Sequence, residues 1–199
     1  CDRMNIDVWE VIEAARTKPY GFSAFYPGPG IGGHCIPVDP LYLQWRSEQY
    51  GIISRLIECS QSINLSMPQY VIEQLKAGLR VSTLMNIRII VVGIAYKRDL
   101  SDTRESSAIE ILRLMVKEEV KLSYHDPYIP EISVDGYQMS SIELTEQSLM
   151  NTDAVVIITD HSQLPLQLIV DRAAFVYDTR NITRCFNGNA RVIRLGAGQ

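Results

Sequence analysis

From Ile87 onward the sequence alternates short β-branched runs with helical stretches, and no other feature constrains the architecture as much. Ile87-Arg88-Ile89-Ile90-Val91-Val92-Gly93 is the near-continuous apolar run of a strand buried on both faces of a sheet. Ser106–Val116 then carries apolar residues at 108, 109, 111, 112, 115 and 116, the spacing of one helix face. Leu122-Ser123-Tyr124-His125-Asp126 reads as a second strand, closed by Pro127, and Ser141–Met150 as a helix or turn. Ala154–Thr159 is a third strand, followed by a helix near Pro165–Val170. Phe175–Asp178 is a fourth strand and Arg191–Leu195 a last one. Strands joined through helices cross over right-handed and build a parallel sheet, so residues 86–199 are expected to form an α/β unit.

Residues 1–85 have a different pattern. Val8, Val11, Ile12 and Ala15 share one helical face, with no initiator methionine before them and little room for a helix cap. This stretch is expected to be a helix from a longer protein whose upstream part is missing. Residues 16–40 hold Pro19, Gly21, Pro27, Gly28, Pro29, Gly30, Gly32, Gly33, Pro37 and Pro40, too many breakers for periodic structure, and a loop this long is usually functional. Helical patterning returns at Leu41–Tyr50 and across Ser54–Leu84, with a bend expected near Pro68.

Composition narrows the partners. The chain has 199 residues, 46% hydrophobic and 21% charged, which are globular proportions. A net charge of −4 without a basic block argues against nucleic acid. The longest apolar run, Ile89–Ala95, is far below the ~20 residues of a membrane span, and no signal peptide opens the chain. The four cysteines, at 1, 35, 59 and 185, show no CxxC spacing, so neither zinc nor a disulfide framework is expected. These features point to free thiols in a reducing, cytoplasmic setting, with no membrane partner.

The loop Gly28-Pro29-Gly30-Ile31-Gly32-Gly33-His34-Cys35-Ile36-Pro37-Val38-Asp39-Pro40 is the most informative segment. Glycines let a backbone approach a ligand, a cysteine at the loop's end can present its sulfur, and a carboxylate four residues on can move a proton or position water. On the residues alone, Cys35 is either such a nucleophile or a structural cysteine beside a turn. Cys59, near Leu56 and Ile63, reads as core. His34 reads as a loop-orienting residue. His125 and His161 end strands, where open sheets bind ligands, yet a structural role fits them as well. Gly93-Ile94-Ala95-Tyr96-Lys97 is not a GxGxxG fingerprint. Lys97, Arg104 and Arg180 all follow strand ends. They form either a solvated surface or a cationic crevice suited to a diphosphate. Asp102 or Thr103 is the expected cap of the helix that follows.

Three motifs together resemble the UDP-glucose/GDP-mannose dehydrogenase family: Gly30-Ile31-Gly32-Gly33-His34-Cys35-Ile36-Pro37-Val38-Asp39; Gly93-Ile94-Ala95-Tyr96-Lys97 with Asp102-Thr103-Arg104-Glu105-Ser106; and Tyr124-His125-Asp126-Pro127. Ile63-Asn64-Leu65-Ser66-Met67-Pro68 is similar to the family's central helix. The resemblance implies a helical central dimerisation domain, 1–85, followed by a Rossmann-like, parallel-sheet UDP-binding domain, 86–199, with the NAD-binding domain lying upstream. The form of the cysteine motif is most similar to enzymes that oxidise UDP-N-acetylhexosamines, notably UDP-N-acetylglucosamine 6-dehydrogenases. Val38 stands where some members carry lysine, which keeps UDP-glucose and UDP-N-acetylmannosamine as alternatives.

The implied chemistry converts a C6 alcohol to a carboxylate with two NAD. Cys35 is implied as the thiolate that forms a thiohemiacetal and then a thioester, with Asp39 assisting proton transfer or positioning water. Phe25, Tyr26 and Gly32 are implied to surround the UDP-sugar, with Tyr96, Lys97 and Arg180 holding it. Arg104 is implied to contact the cofactor, with NAD bound mainly by the missing domain. Lys18 lies where a neighbouring subunit usually contributes a cation. The partners implied are the UDP-sugar and a second copy joined through the central helices. The competing readings are a thiol hydrolase using Cys35 with His34 or His125, and a non-catalytic UDP-sugar-binding module.

Overall fold

The structure is a computed structural model, and it describes residues 1–198. Chain order runs α1 (Val8–Arg16), α2 (Asp39–Glu48), α3 (Arg55–Leu79), β1 (Arg88–Val92), α4 (Ser107–Lys117), β2 (Lys121–His125), β3 (Glu131–Val134), β4 (Tyr137–Ser140), α5 (Glu146–Met150), β5 (Ala154–Ile157), α6 (Leu166–Arg172), β6 (Phe175–Asp178) and β7 (Arg191–Arg194). A helical region thus precedes a parallel, Rossmann-like sheet, as expected.

Five strands lie in the order β2-β1-β5-β6-β7, every neighbouring pair parallel. Counted along the chain this is 2-1-3-4-5, a doubly wound order whose switch point falls between β1 and β5. The carboxyl ends are level: Val92 pairs with His125 and Ile157, and Ile157 with Asp178. Alternating side chains feed two cores. Ile89, Val91, Val156 and Tyr177 pack with α3 and α4, whereas Ile90, Val92, Val155, Ile157 and Val176 pack with Leu149 of α5 and Ile169 of α6. That period of two is why the strands read as continuous apolar runs.

Helix α3 belongs to both regions. Its C-terminal half buries Val71, Ile72, Leu75 and Gly78 in the first core, while Leu56, Ile63 and Leu65 on its N-terminal half stay exposed. It continues through Pro68 and stops at Leu79, before the expected Leu84, because Arg80 turns left-handed at φ 59°. Lys76 pairs with Glu118, whose other oxygen accepts from the Leu84 amide at 3.2 Å, tying the end of α3 to that of α4. Helix α2 buries no residue and starts at Asp39, two residues earlier than expected.

Three further differences concern caps and one extra element. Helix α1 is capped after all: Asp7 Oδ1 accepts from the Trp9 amide at 2.8 Å and the Glu10 amide at 3.4 Å. Helix α4 is capped by Ser106, not by Asp102 or Thr103. Its hydroxyl accepts from the Ala108 amide and donates to the Ile94 carbonyl at 2.9 Å. The third is a hairpin, β3–β4, between β2 and α5. Asp135 (φ 48°) and Gly136 (φ 88°) form its two-residue turn, the Asp-Gly signal of a tight hairpin.

Candidate functional site

The carboxyl edge of the sheet is held by one buried carboxylate. Asp126 leaves the end of β2, only 3% exposed, and its Oδ2 accepts from the amides of Ile94 (2.7 Å) and Ala95 (3.1 Å) and from His161 Nε2 (3.0 Å). Its Oδ1 accepts from the amides of Tyr128 and Ile129 at 2.8 and 3.1 Å. Burial pushes this carboxyl up, but the bonds from His161 and the Ile94, Tyr128 and Ala95 amides outweigh it and hold it below the usual range. His161, 2% exposed, accepts from the Asp99 amide at Nδ1 (2.9 Å), so its Nε2 carries the proton given to Asp126. His161 therefore serves the loop's structure, and His125, whose Nδ1 lies 2.7 Å from the Ile142 carbonyl, is likewise engaged.

At the switch point β1 and β5 run close. Gly93 has φ +80°, and a Cβ there would meet the Thr159 carbonyl at 2.4 Å. Tyr96 and Lys97 follow directly, with the Tyr96 amide bonded to the Asp102 carbonyl at 2.9 Å. Lys97 is exposed, with no ion-pair partner among the described residues. At the end of β6, Asp178 is fully buried and accepts from the Arg180 amide (2.8 Å), the Thr183 amide (2.8 Å) and the Thr183 hydroxyl (2.7 Å). This turn aims Arg180 back over the sheet, where its Nε donates to the Ile158 carbonyl at 2.7 Å. Burial draws the guanidinium below its usual range, against the opposing pull of Asp160 and Asp178. A half-buried cation of this kind gains from an anionic ligand.

The glycine loop lies across this edge. A Cβ at Gly28 would fall 2.5 Å from Arg180 Nη1, and one at Gly33 2.8 Å from the Tyr96 ring. A Cβ at Gly32 would meet the Glu105 carbonyl at 2.5 Å, and the Gly33 amide donates to the Arg104 carbonyl at 3.0 Å. These approaches explain the density of glycines between 28 and 33. Asn64 of α3 grips the loop from the other side. Its Oδ1 accepts from the Ile31 amide at 2.7 Å and its Nδ2 donates to the Ile31 carbonyl at 3.2 Å. At the loop's end Cys35 is exposed, and its carbonyl accepts from the Asp39 amide at 2.8 Å, so the two side chains leave the chain one helical turn apart at the start of α2.

The remaining expected residues are distributed around this centre. Phe25 is 82% exposed. Tyr26 turns to α1: its hydroxyl donates to Glu13 at 2.7 Å, and its ring stacks on Trp9 at 5.9 Å. Arg104 forks onto Asp102 through Nε (2.8 Å) and Nη2 (2.5 Å). That pairing raises its pKa, with smaller contributions from the charges of Tyr96 and Cys35. Lys18 is exposed beyond α1. Cys59, expected in the core, is exposed on α3. A groove of about 1010 Å³ lies behind the loop, between α3, α4 and β3, but neither Cys35, Lys97 nor Arg180 lines it. Two contributors went unread in the sequence: Asp126, which with His161 holds the sheet's edge, and Asn64, which holds the loop; His161 takes the structural role that the sequence had left open beside a binding one. Asp126 sits inside a quoted motif, yet no local pattern marks it as an acceptor of backbone amides.

The family's central-domain description matches residues 1–66, and its UDP-binding-domain description matches residues 90–184. The chain belongs to the UDP-glucose/GDP-mannose dehydrogenase family. It is 33% identical over 160 residues to the UDP-N-acetyl-D-mannosamine dehydrogenase of Methanococcus aeolicus, covering 80% of this chain and 34% of that protein. It is 33% identical over 187 residues to the NDP-N-acetyl-D-galactosaminuronic acid dehydrogenase of Ralstonia solanacearum, covering 92% of this chain and 42% of that one. The structure of the UDP-D-ManNAc dehydrogenase of Pyrococcus horikoshii superposes with a TM-score of 0.80 at 28% identity, over 98% of this chain and 45% of that one. The chain thus spans less than half the length of these dehydrogenases. None of the three carries the N-acetylglucosamine name that the cysteine motif had suggested.

Proposed function

We propose that this chain is the central and UDP-binding portion of an NAD-dependent nucleotide-sugar 6-dehydrogenase acting on a UDP-N-acetylhexosamine, with the helical part at 1–85 and the UDP-binding part at 86–199. One observation carries the reading: the loop ending in Cys35 lies directly on Tyr96 and Arg180 at the carboxyl edge of a doubly wound sheet. The same loop ends in Cys35, and Lys97 follows Tyr96, which supports a site where a thiol and cations serve a substrate with a reactive sugar and an anionic diphosphate. The names of the relatives favour N-acetylmannosamine over N-acetylglucosamine as the hexose.

Within this reading Lys97 and Arg180 take the diphosphate, with Tyr96 beside them, and Phe25, Tyr26 and Gly32 border the sugar. The Cys35 thiolate adds to the C6 aldehyde: a C–S bond forms and the carbonyl oxygen takes a proton, giving a thiohemiacetal. After oxidation to the thioester, water positioned by Asp39 attacks the carbonyl, the C–S bond breaks, and the thiolate returns with the carboxylate released. The oxidations require a hydride acceptor, which the family resemblance names as NAD.

The described residues do not build a dinucleotide site of their own. No GxGxxG follows β1, a Cβ at Gly93 would meet Thr159, and fourteen residues separate the end of β1 from the start of α4. Arg104, near Cys35, is the one residue assigned to the cofactor. The thiol chemistry needs Cys35 reduced, which suits a cytoplasmic setting. A homodimer through α2 and α3 completes the reading, since Tyr42, Leu43, Trp45, Leu56, Ile63 and Leu65 present large exposed apolar surface there. No described helix is long and apolar enough to cross a membrane.

Titration calorimetry with UDP tests the site. Lys97→Ala and Arg180→Ala should each weaken binding at least about tenfold, the scale of a lost charge-assisted bond, while Cys35→Ser leaves it unchanged. Absent UDP binding, or binding indifferent to both cations, would end the reading.

A further inference from the structure

The loop that carries Tyr96 and Lys97 has no helix or strand of its own, yet it is pinned at both ends. Its first residues hang on Asp126 through the Ile94 and Ala95 amides, and its last hangs on His161 Nδ1 through the Asp99 amide. Asp99 then closes a second tie, its Oδ1 accepting from the Ser162 amide at 2.8 Å. Asp126 and His161 are themselves bonded, both fully out of solvent at their side chains. One rigid unit therefore fixes both ends of a six-residue stretch, and the exposed Lys97 sits in its middle. Asp99 stands at φ 54°, in the left-handed region that aspartate tolerates better than most side chains.

We infer that Asp126, through the Ile94 and Ala95 amides, and His161, through Nδ1 and the Asp99 amide, position the Tyr96–Lys97 loop for the UDP diphosphate, making both positioning residues of the site. The inference rests on the UDP-binding reading above. A lysine on a free loop must surrender conformational freedom on binding, whereas one on a pinned backbone has surrendered much of it on folding. The two nitrogens of His161 divide the work. Nε2 secures the pair by donating to Asp126, and Nδ1 secures the loop by accepting from Asp99.

Isosteric amides separate these roles. Glutamine reaches the Nε2 position and retains the donor to Asp126 but offers no acceptor to the Asp99 amide. Asparagine places its oxygen at the Nδ1 position and retains that acceptor. With UDP as the probe, and titrations run well below each variant's melting temperature, His161→Gln should bind about tenfold more weakly than the wild-type chain, the worth of one lost hydrogen bond at the loop's end, and His161→Asn should stay within about threefold. Equal affinity in wild type and both variants overturns the inference, as does equal loss in both. Lys97→Ala is the control: if it too binds UDP like wild type, the UDP site itself is misassigned. If it loses affinity while His161→Gln does not, only the positioning role fails. Should His161→Gln not fold, amide hydrogen exchange in the wild-type chain decides. Slow exchange at Ile94, Ala95 and Asp99 without ligand supports a pinned loop, and exchange at the rate of an unstructured chain overturns it.

Discussion

Single residues at the sheet's edge are set by contact rather than by preference. Gly93 is the sharpest case, because its left-handed backbone and the Thr159 carbonyl 2.4 Å from a would-be Cβ both forbid a side chain. Gly93→Ala should cost about 2–4 kcal/mol and lower the melting temperature by about 5–10 °C, measured by calorimetry. Asp126 gives a pH signature. Because the fold holds its carboxyl below the usual range, it binds a proton less tightly folded than unfolded. Its stabilisation is complete above the unfolded value of about 3.9 and is lost as pH falls through the lower folded value. The wild-type urea midpoint should therefore drop on acidification below about pH 4. Asp126→Asn should have a lower midpoint at neutral pH and a flatter acid limb. Cys35, Lys97 and Arg180 could be proposed for the site at this scale because their residue types announce chemistry. Asn64 and Asp126 were not, because their work is to exchange hydrogen bonds with backbone that is distant in sequence, and for His161 the structural role could be offered only beside a binding one.

At the scale of elements, the strands and helices of the sheet were readable from their periods, since every strand but β2 and β7 is buried along nearly its whole length. The β3–β4 hairpin escaped that reading. Its inward face is too short to detect, with Val134 alone fully buried and Ile132 and Met139 partly buried against the first core, and only Asp135-Gly136 marks the turn. The end of α3 was misplaced for a similar reason. Val81 and Leu84 continue the apolar pattern, but they pack as a connector secured by Glu118. Glu118→Ala removes both the Lys76 pair and the acceptor for the Leu84 amide. A loss of about 1–3 kcal/mol is expected in denaturant unfolding, with Glu118→Gln retaining part of it. Helix α2 was legible as a helix, whereas its lack of any buried residue could be seen only in three dimensions.

For the whole molecule, the alternation after residue 87 was sufficient to give the parallel sheet, but not the way the helical region is fastened to it. Trp9 Nε1 donates to the Leu195 carbonyl at 2.7 Å, the Val8 amide bonds to the Gly196 carbonyl at 2.7 Å, and α3 runs into the sheet's first core. The apolar surface on α2 and α3 leads to a prediction about assembly. The wild-type chain should sediment as a dimer at micromolar concentration. Leu56→Glu combined with Ile63→Glu should sediment as a monomer with unchanged UDP affinity, since neither side chain reaches the sheet's edge. A double variant that still dimerises would place the interface elsewhere. The path of α3 has a mechanical corollary. One unbroken rod packs into the sheet's first core at its C-terminal half, exposes Leu56, Ile63 and Leu65 on its N-terminal half, and from Asn64, among those apolar residues, holds Ile31 in a two-pronged amide grip. The Cys35 loop and the sheet that carries Lys97 and Arg180 therefore share a common chassis, and, under the proposed function, a tilt imposed on the N-terminal half of α3 by an adjoining subunit would change the thiol's distance from the sugar.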